Sequence, residues 1–269
     1  MSLSLPTRTL PEEDLDQLLA IGQEAARRAG AILLEHWVRP PSGVRAKTRP
    51  TDLVSAADLA AEDAIRALLA VERPADGILG EERGEVPSVS GLRWVVDPLD
   101  GTANYLRRIP HWAVSIACED AGGDVILGVV HDPLREEWFV GLRGRGATVD
   151  GSRMRGSAGT ALDAAVLAGE FSSRTGAQAD CARRLLSSVG HARDHGSAAL
   201  DLAWAAAGRV DAAFHVRFPA RWDVAAGELL CREAGLTFER LPDPRDTHDR
   251  LLAAPPALAP RLRALVRAG

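Results

Sequence analysis

Residues 11–38 return their apolar side chains at helical spacing, whereas residues 78–140 carry them in short runs broken by Gly, Pro or Asp. That change of period constrains the fold most, because a 3.6-residue repeat and a two-residue repeat cannot bury the same face. The first segment opens on Glu12, Glu13 and Asp14 and stops before Pro40-Pro41, as a helix should. A second helix is predicted over 56–71, with Ser55 as N-cap and Asp58 three residues on in a capping-box arrangement. The runs near 78–79, 93–96, 113–117, 125–130 and 138–140 read as strands of one sheet. Past Gly151 strands (165–168, 212–216, 236–240, 251–253) alternate with helices at 198–207, 224–234 and 258–267. Gly208 and Gly235 end the first two of these helices. The expectation is an α/β (α+β) chain of two tightly joined subdomains, 1–150 and 151–269, since no low-complexity linker or repeat parts them.

Several classes of function are disfavoured at once. Lys and Arg number 32 against 37 Asp and Glu, a net charge of -5 without a basic stripe, so a nucleic-acid polymer is not the expected partner. No apolar run approaches the roughly 18 residues of a membrane span, and residues 1–10 lack the apolar core of a secretory signal. Cys118, Cys181 and Cys231 are widely spaced with no C-x-x-C pair, which speaks against a disulfide framework or thiolate zinc site. A cytoplasmic, reducing setting is expected.

The chemistry concentrates in Trp94-Val95-Val96-Asp97-Pro98-Leu99-Asp100-Gly101-Thr102-Ala103-Asn104-Tyr105. Two carboxylates three residues apart close an apolar strand, and a Gly-Thr pair follows that can turn backbone N–H groups toward an anion. Hard oxygen ligands suit Mg²⁺, and convergent N–H groups suit phosphate. Gly80-Glu81-Glu82 follows the strand at 78–79, and Trp222-Asp223-Val224-Ala225-Ala226-Gly227 opens a helix much later. Taken singly, each acid has a plain structural use: Asp97 and Asp100 suit turns, Asp223 a helix cap, and Asp58 a capping box. Trp94 and Trp222 are expected to pack the site walls. His191 and His195 stand i, i+4 apart and on a helix could chelate a metal, but a Gly-Ser turn follows and predicts a strand or loop instead. The glycines of 141–146 do not lead into a helix, which favours a hairpin turn over a phosphate loop.

In order, these motifs resemble the G-E-E, D-P-[IL]-D-G-T and W-D-x-A-[AG] signatures of the inositol monophosphatase family of metal-dependent phosphomonoesterases. Thr51-Asp52-Leu53-Val54-Ser55-Ala56-Ala57-Asp58 and Gly196-Ser197-Ala198-Ala199-Leu200-Asp201-Leu202 are similar to two further family segments, so the resemblance spans nearly the whole chain. It implies a layered α-β-α-β-α sugar-phosphatase fold, a homodimer, and hydrolysis of a small phosphorylated polyol or sugar. It also implies two or three Mg²⁺ ions, with Mn²⁺ an alternative. Glu81, Asp97 and the Leu99 carbonyl would hold the first ion; Asp97, Asp100 and Asp223 the second; a third, weaker one would sit on Glu81. The N–H groups of Gly101 and Thr102 would grip phosphate. Thr102, hydrogen-bonded to Asp58, would act with Glu81 to orient and activate the attacking water. Such a site needs no Ser, Cys or His nucleophile, because the cations reverse the sign a phosphate dianion meets.

One stretch departs from the family pattern. His215 stands about where an acidic, hydroxyl-binding residue is expected, and Arg217 and Arg221 follow before Trp222-Asp223. Inositol specificity is thereby put in question, and the two guanidinium groups become candidates for a second anion on the substrate. Relatives on this scaffold act on histidinol phosphate, fructose 1,6-bisphosphate or nucleotide 3′(2′),5′-bisphosphates. A non-catalytic regulatory protein is the rival class. It would be expected to lack one of Glu81, Asp97, Asp100 and Asp223, and all four are present.

Overall fold

The computed structural model describes residues 12–47, 53–159, 161–172 and 175–267. Pro11 at the head of the first predicted helix, and Thr51 and Asp52 of the family-like segment, lie outside them. Two helices, α1 (Glu12–Trp37) and α2 (Ala56–Glu72), flank a small antiparallel ribbon of β1 (Arg45–Ala46) and β2 (Leu53–Val54). Ser55 caps α2 by accepting from the Ala57 N–H, and the Asp58 carboxylate accepts from the Ser55 N–H at 2.9 Å, as the capping-box spacing predicts.

The strand-rich region forms one sheet. It comprises β3 (Gly77–Gly80), β4 (Gly84–Val86), β5 (Arg93–Asp100), β6 (Ala113–Glu119), β7 (Val125–Asp132), β8 (Glu137–Leu142), β9 (Gly146–Val149) and β10 (Ser152–Arg153), with a short α3 (Thr102–Leu106) after β5. The order is β10-β9-β8-β7-β6-β5-β3-β4, antiparallel except where β3 runs parallel to β5. Residues 143–145 form the β8–β9 hairpin turn, as their glycines suggested. The remainder builds a second sheet from β11 (Val166–Ala168), β12 (His191–Arg193), β13 (Ala212–His215), β14 (Thr237–Leu241) and β15 (Arg250–Ala254) in the order β12-β11-β13-β15-β14. Its helices are α4 (Gly176–Leu186), α5 (Ala198–Ala206), α6 (Arg221–Glu233) and α7 (Ala259–Arg267).

Alternation along the strands sorts the layers. Trp94, Val96, Ile116 and Val129 face α1 and α2, while Val95, Ala117 and Val130 face α5 and α6. The same two helices cover the inner face of the second sheet, and α4 and α7 cover its outer face with Leu185, Leu252 and Leu262. The result is the expected α-β-α-β-α stack. The large sheet ends at Arg153, three residues beyond the expected subdomain boundary, and α6 touches both sheets.

Two elements differ from expectation. Helix α4 was not anticipated, although Thr175 caps it and Cys181, Ala182 and Leu185 give it a buried stripe; Arg and Ala around them dilute the periodic signal. Helix α6 starts at Arg221 rather than 224, so Asp223 lies within its first turn and Ala220 takes the cap position. Close approach of α6 needs two glycines: a Cβ on Gly128 would meet the Ala226 carbonyl oxygen at 2.8 Å, and one on Gly227 would meet the Leu202 side chain at 2.6 Å.

Candidate functional site

Asp97 and Asp100 are an odd number of residues apart, so a regular strand would point them to opposite faces. The ladder shows how they share one. Asp97 pairs with Ser115 and Asp100 with Ala113, so three steps on β5 oppose two on β6. This bulge falls at Pro98, which has no N–H to give the ladder. The Asp97 carboxylate accepts from the Leu99 N–H at 2.9 Å and fixes the kink. Both carboxylates then face α5 and α6. Asp100 accepts from the Ser197 hydroxyl and, at 2.7 Å, from the Ala199 N–H at the start of α5. Asp223 accepts from the Ala220 N–H at 2.9 Å, and Ser115 holds the neighbouring Trp222 carbonyl to the sheet at 3.3 Å.

These contacts bring Asp97, Asp100 and Asp223 together, with one carboxylate oxygen of each within 4.8 Å of the others. Asp97 and Asp100 are buried and Asp223 is half-buried. Burial, followed by the charges of Glu81, Asp100 and Asp223, drives the Asp97 carboxyl far above the usual carboxylate range. Burial and the charges of Asp100 and Glu81 do the same to Asp223. Asp100 is pushed up to about 6 by burial, although Ser197 and the α5 amides favour its charged form. Buried carboxylates that repel one another are stable as anions only beside positive charge. An all-oxygen donor set of this kind can hold a hard cation.

Glu81 lines the same cavity, but its carboxylate is paired with the Lys47 ammonium at 2.7 Å, which also bonds Glu82 at 2.6 Å. Burial opposes the charge on Lys47, yet Glu81 and Glu82 keep it firmly protonated. Burial pushes Glu82 up to about 7. Gly80 has no side chain for a direct reason: a Cβ there would overlap the Glu62 carboxylate, which accepts from the Glu82 and Arg83 N–H groups at 2.7 and 3.1 Å. The Thr102 hydroxyl lies 3.0 Å from Asp58 Oδ1 and 3.1 Å from the Leu99 carbonyl oxygen. Its single proton can go to either. Gly101, at φ 98°, makes the turn between Asp100 and Thr102, where a Cβ would press on the Gly196 and His111 carbonyls at 3.2 Å.

The cavity is about 560 Å³, with Glu81, Asp100 and Asp223 on one side and Asp201, His215 and Arg217 among the remaining walls. His215 is buried, with its Nε2 3.8 Å from Asp201 Oδ2. Arg217 lies 3.7 Å from Glu170. Arg221 is not part of the lining; its guanidinium pairs with buried Glu119 and with Glu228 and pins α6 to the sheet. Trp94 is buried in the α1/α2 layer, its indole N–H donating to Asp76 at 3.0 Å, so only Trp222 of the two tryptophans lines the cavity. His191 is exposed on β12, whereas His195 lies beyond that strand, paired with Asp201.

Sequence reasoning passed over Lys47, Glu62 and His111, and gave Asp201 no role beyond its place in the family-like segment 196–202. Glu62 had a signal, since it follows Asp58 by four residues on the buried face of α2. Lys47 and His111 had none, because only the fold gives them their neighbours.

Comparison with known proteins places this architecture. The sequence matches the family model described as "Inositol monophosphatase family" over residues 14–268. It is 41% identical over 223 residues to a protein named "Nus factor SuhB" from Salmonella typhimurium, covering 81% of this chain and 83% of that one. It is 40% identical to an "Inositol-1-monophosphatase" of Rhizobium meliloti with the same coverage. The crystal structure of the extragenic suppressor protein suhB from Bartonella henselae superposes with a TM-score of 0.86 at 35% identity, covering 94% of this chain and 99% of that one. The chain belongs to the inositol monophosphatase family.

Proposed function

We propose that this protein is a Mg²⁺-dependent phosphomonoesterase acting on a small phosphorylated polyol or sugar. The observation that carries the reading is the convergence of Asp97, Asp100 and Asp223 from distant parts of the chain at the edge of the cavity. Their oxygen-only donor set and mutual repulsion fit divalent cations, and Mn²⁺ shares that chemistry. Asp97, Asp100 and Asp223, with Glu81 and the Leu99 carbonyl, would hold the ions. Bound there, Mg²⁺ would supply positive charge for the phosphate, acidify water and stabilise the leaving oxygen.

The chain's own groups do the rest. Gly101 and Thr102 offer backbone N–H groups to the phosphoryl oxygens. The Thr102 hydroxyl donates its hydrogen bond to Asp58, which leaves its oxygen free to accept from the attacking water and orient it with Glu81. Release of Glu81 from Lys47 accompanies that role. The cavity volume suits a ligand of sugar-phosphate size. In its lining Asp201 offers a carboxylate beside His215, where the family pattern leads one to expect an acid at 215. With Arg221 engaged by Glu119 and Glu228, any preference for a second anionic group rests on Arg217.

The names of the SuhB relatives support a second reading, a regulatory role on the same scaffold. Four retained carboxylates favour catalysis. The test is phosphate release from inositol 1-phosphate, histidinol phosphate, fructose 1,6-bisphosphate and adenosine 3′,5′-bisphosphate, with Mg²⁺ and with excess chelator. Chelator-sensitive release from at least one compound is expected. Release from none, or release indifferent to the chelator, overturns the reading.

A further inference from the structure

A second polar cluster sits beyond the carboxylate centre, at the base of α5. One ring nitrogen of His111, one of His195 and a carboxylate oxygen of Asp201 lie within 4.8 Å of one another. His195 Nδ1 is 2.9 Å from Asp201 Oδ1, and the two imidazole rings have centroids 4.8 Å apart. The Asn104 side-chain amide donates to the His111 carbonyl at 2.8 Å and to the His195 carbonyl at 2.6 Å, locking the two backbones together. Trp204 packs edge-on against both rings.

The hydrogen bonding in this cluster is incomplete. His111 is only 7% exposed and its Nε2 has no partner among the described residues. His215, only 3% exposed, likewise leaves its Nε2 without one, 3.8 Å from Asp201 Oδ2. Buried polar atoms of this kind are costly when nothing satisfies them.

We propose that His111, His195 and Asp201 form a second metal site, selective for a borderline transition cation such as Zn²⁺ and distinct from the carboxylate centre. Two imidazoles and one carboxylate are the donors that Zn²⁺ and its neighbours prefer over Mg²⁺, which takes oxygen ligands. His215 Nε2 stands 3.8 Å from Asp201 Oδ2, on the cavity side of the cluster. The donors lie within 4.8 Å of one another, against about 3.3 Å between the ligands of a tetrahedral Zn²⁺, so side-chain rotation closes them on the ion. The two sites share α5: Asp100 is tied to Ser197 and Ala199, and Asp201 follows Ser197 by one turn. Asp201 and His215 also line the cavity, so an ion here would add positive charge to its wall.

The test uses Co²⁺ as an optical stand-in for Zn²⁺ on the full chain, with Mg²⁺ in large excess to saturate the carboxylate centre. About one Co²⁺ per chain is expected to remain, with a visible d–d band. The Asp223→Asn variant should keep that ion, whereas His111→Gln and His195→Gln should each weaken binding at least about tenfold. X-ray absorption of the wild-type Co²⁺ form should count at least two imidazole ligands, which tests the proposal even if a variant fails to fold. Displacement of Co²⁺ by Mg²⁺, loss of binding in Asp223→Asn but not in the histidine variants, or an all-oxygen coordination shell overturns it.

Discussion

The carboxylate centre and the histidine cluster hang from the same helix, yet burial acts on them in opposite senses. Asp97, Asp100 and Asp223 are acids pushed upward, so the folded state keeps protons that the unfolded chain would release. His111 and His215 are bases pushed down to about 4 by burial, so the folded state refuses protons that the unfolded chain would take. Both clusters resist charge, but a cation would meet a different need in each: neutralising repulsion among the carboxylates, and occupying unpartnered imidazole nitrogen at the histidines. The difference in donor chemistry teaches which cation: oxygen alone on one side, imidazole with carboxylate on the other.

The sharpest way to separate the two is Asp223→Asn. Removing an anionic ligand should lower kcat at least about a hundredfold, roughly 2.7 kcal/mol of transition-state stabilisation. The fold should survive, because the Asn carbonyl can still accept from the Ala220 N–H. Without added metal the variant should melt higher than wild type, since one repelling charge is gone. Turnover near wild type in the folded, Mg²⁺-saturated variant would reduce Asp223 to a helix-start residue.

A backbone change should be felt next. Gly128→Ala places a methyl group against the Ala226 carbonyl and pushes α6 from the sheet. A stability loss of about 1–3 kcal/mol is expected from denaturant unfolding, with a rise in the Mg²⁺ concentration needed for activity because Asp223 moves with α6. Unchanged Mg²⁺ dependence would show that the centre does not depend on this contact.

The two arginines after His215 should then part ways. Arg221→Ala leaves buried Glu119 with Arg93 as its remaining partner, and should cost about 1–3 kcal/mol of stability with little change in KM. Arg217→Ala should leave stability alone and raise KM only for substrates bearing a second anionic group, by about tenfold. Equal effects on inositol 1-phosphate and fructose 1,6-bisphosphate would remove Arg217 from substrate choice.

The smallest expected effect is also the most direct comparison. For the raised carboxyls, stability is full below their unfolded value near 3.9 and is lost as pH climbs through about 6 and beyond. For His111 and His215, stability is full above about 6.5 and is lost as pH falls toward about 4. Metal-free protein should therefore melt highest at mildly acidic pH. Mg²⁺ should raise the melting temperature by several degrees more at pH 8 than at pH 5. A Mg²⁺ shift that does not grow with pH would mean the carboxylates are not where Mg²⁺ acts.

Much of this was legible beforehand. The succession of helices and strands followed from period changes at particular places and the α-β-α-β-α layering from the family resemblance, and Ser55 with Asp58 marked the α2 start to the residue. The motifs around Glu81, Asp97 and Asp223 pointed to the carboxylate centre because each acid closes or opens an element. Arg221 was misplaced in prospect, since a linear sequence shows an arginine beside the site but not the buried Glu119 across the sheet. His195 was weighed with the wrong partner: His191 is near in sequence, whereas His111 is near in space.

By itself the sequence determined where elements begin, which faces are apolar and which acids sit at element ends, because periodicity, capping and turn chemistry act over a few residues. Only the tertiary structure decided that Asp97 and Asp100 share a face, since the bulge at Pro98 is visible only against β6. It alone set His111 and His195 against Asp201, and joined Asp223 to residues more than a hundred positions earlier. The physical reason is range. Local rules fix the direction of a side chain, but charge repulsion, unmet hydrogen bonds and metal affinity depend on what the packed chain brings within a few ångströms.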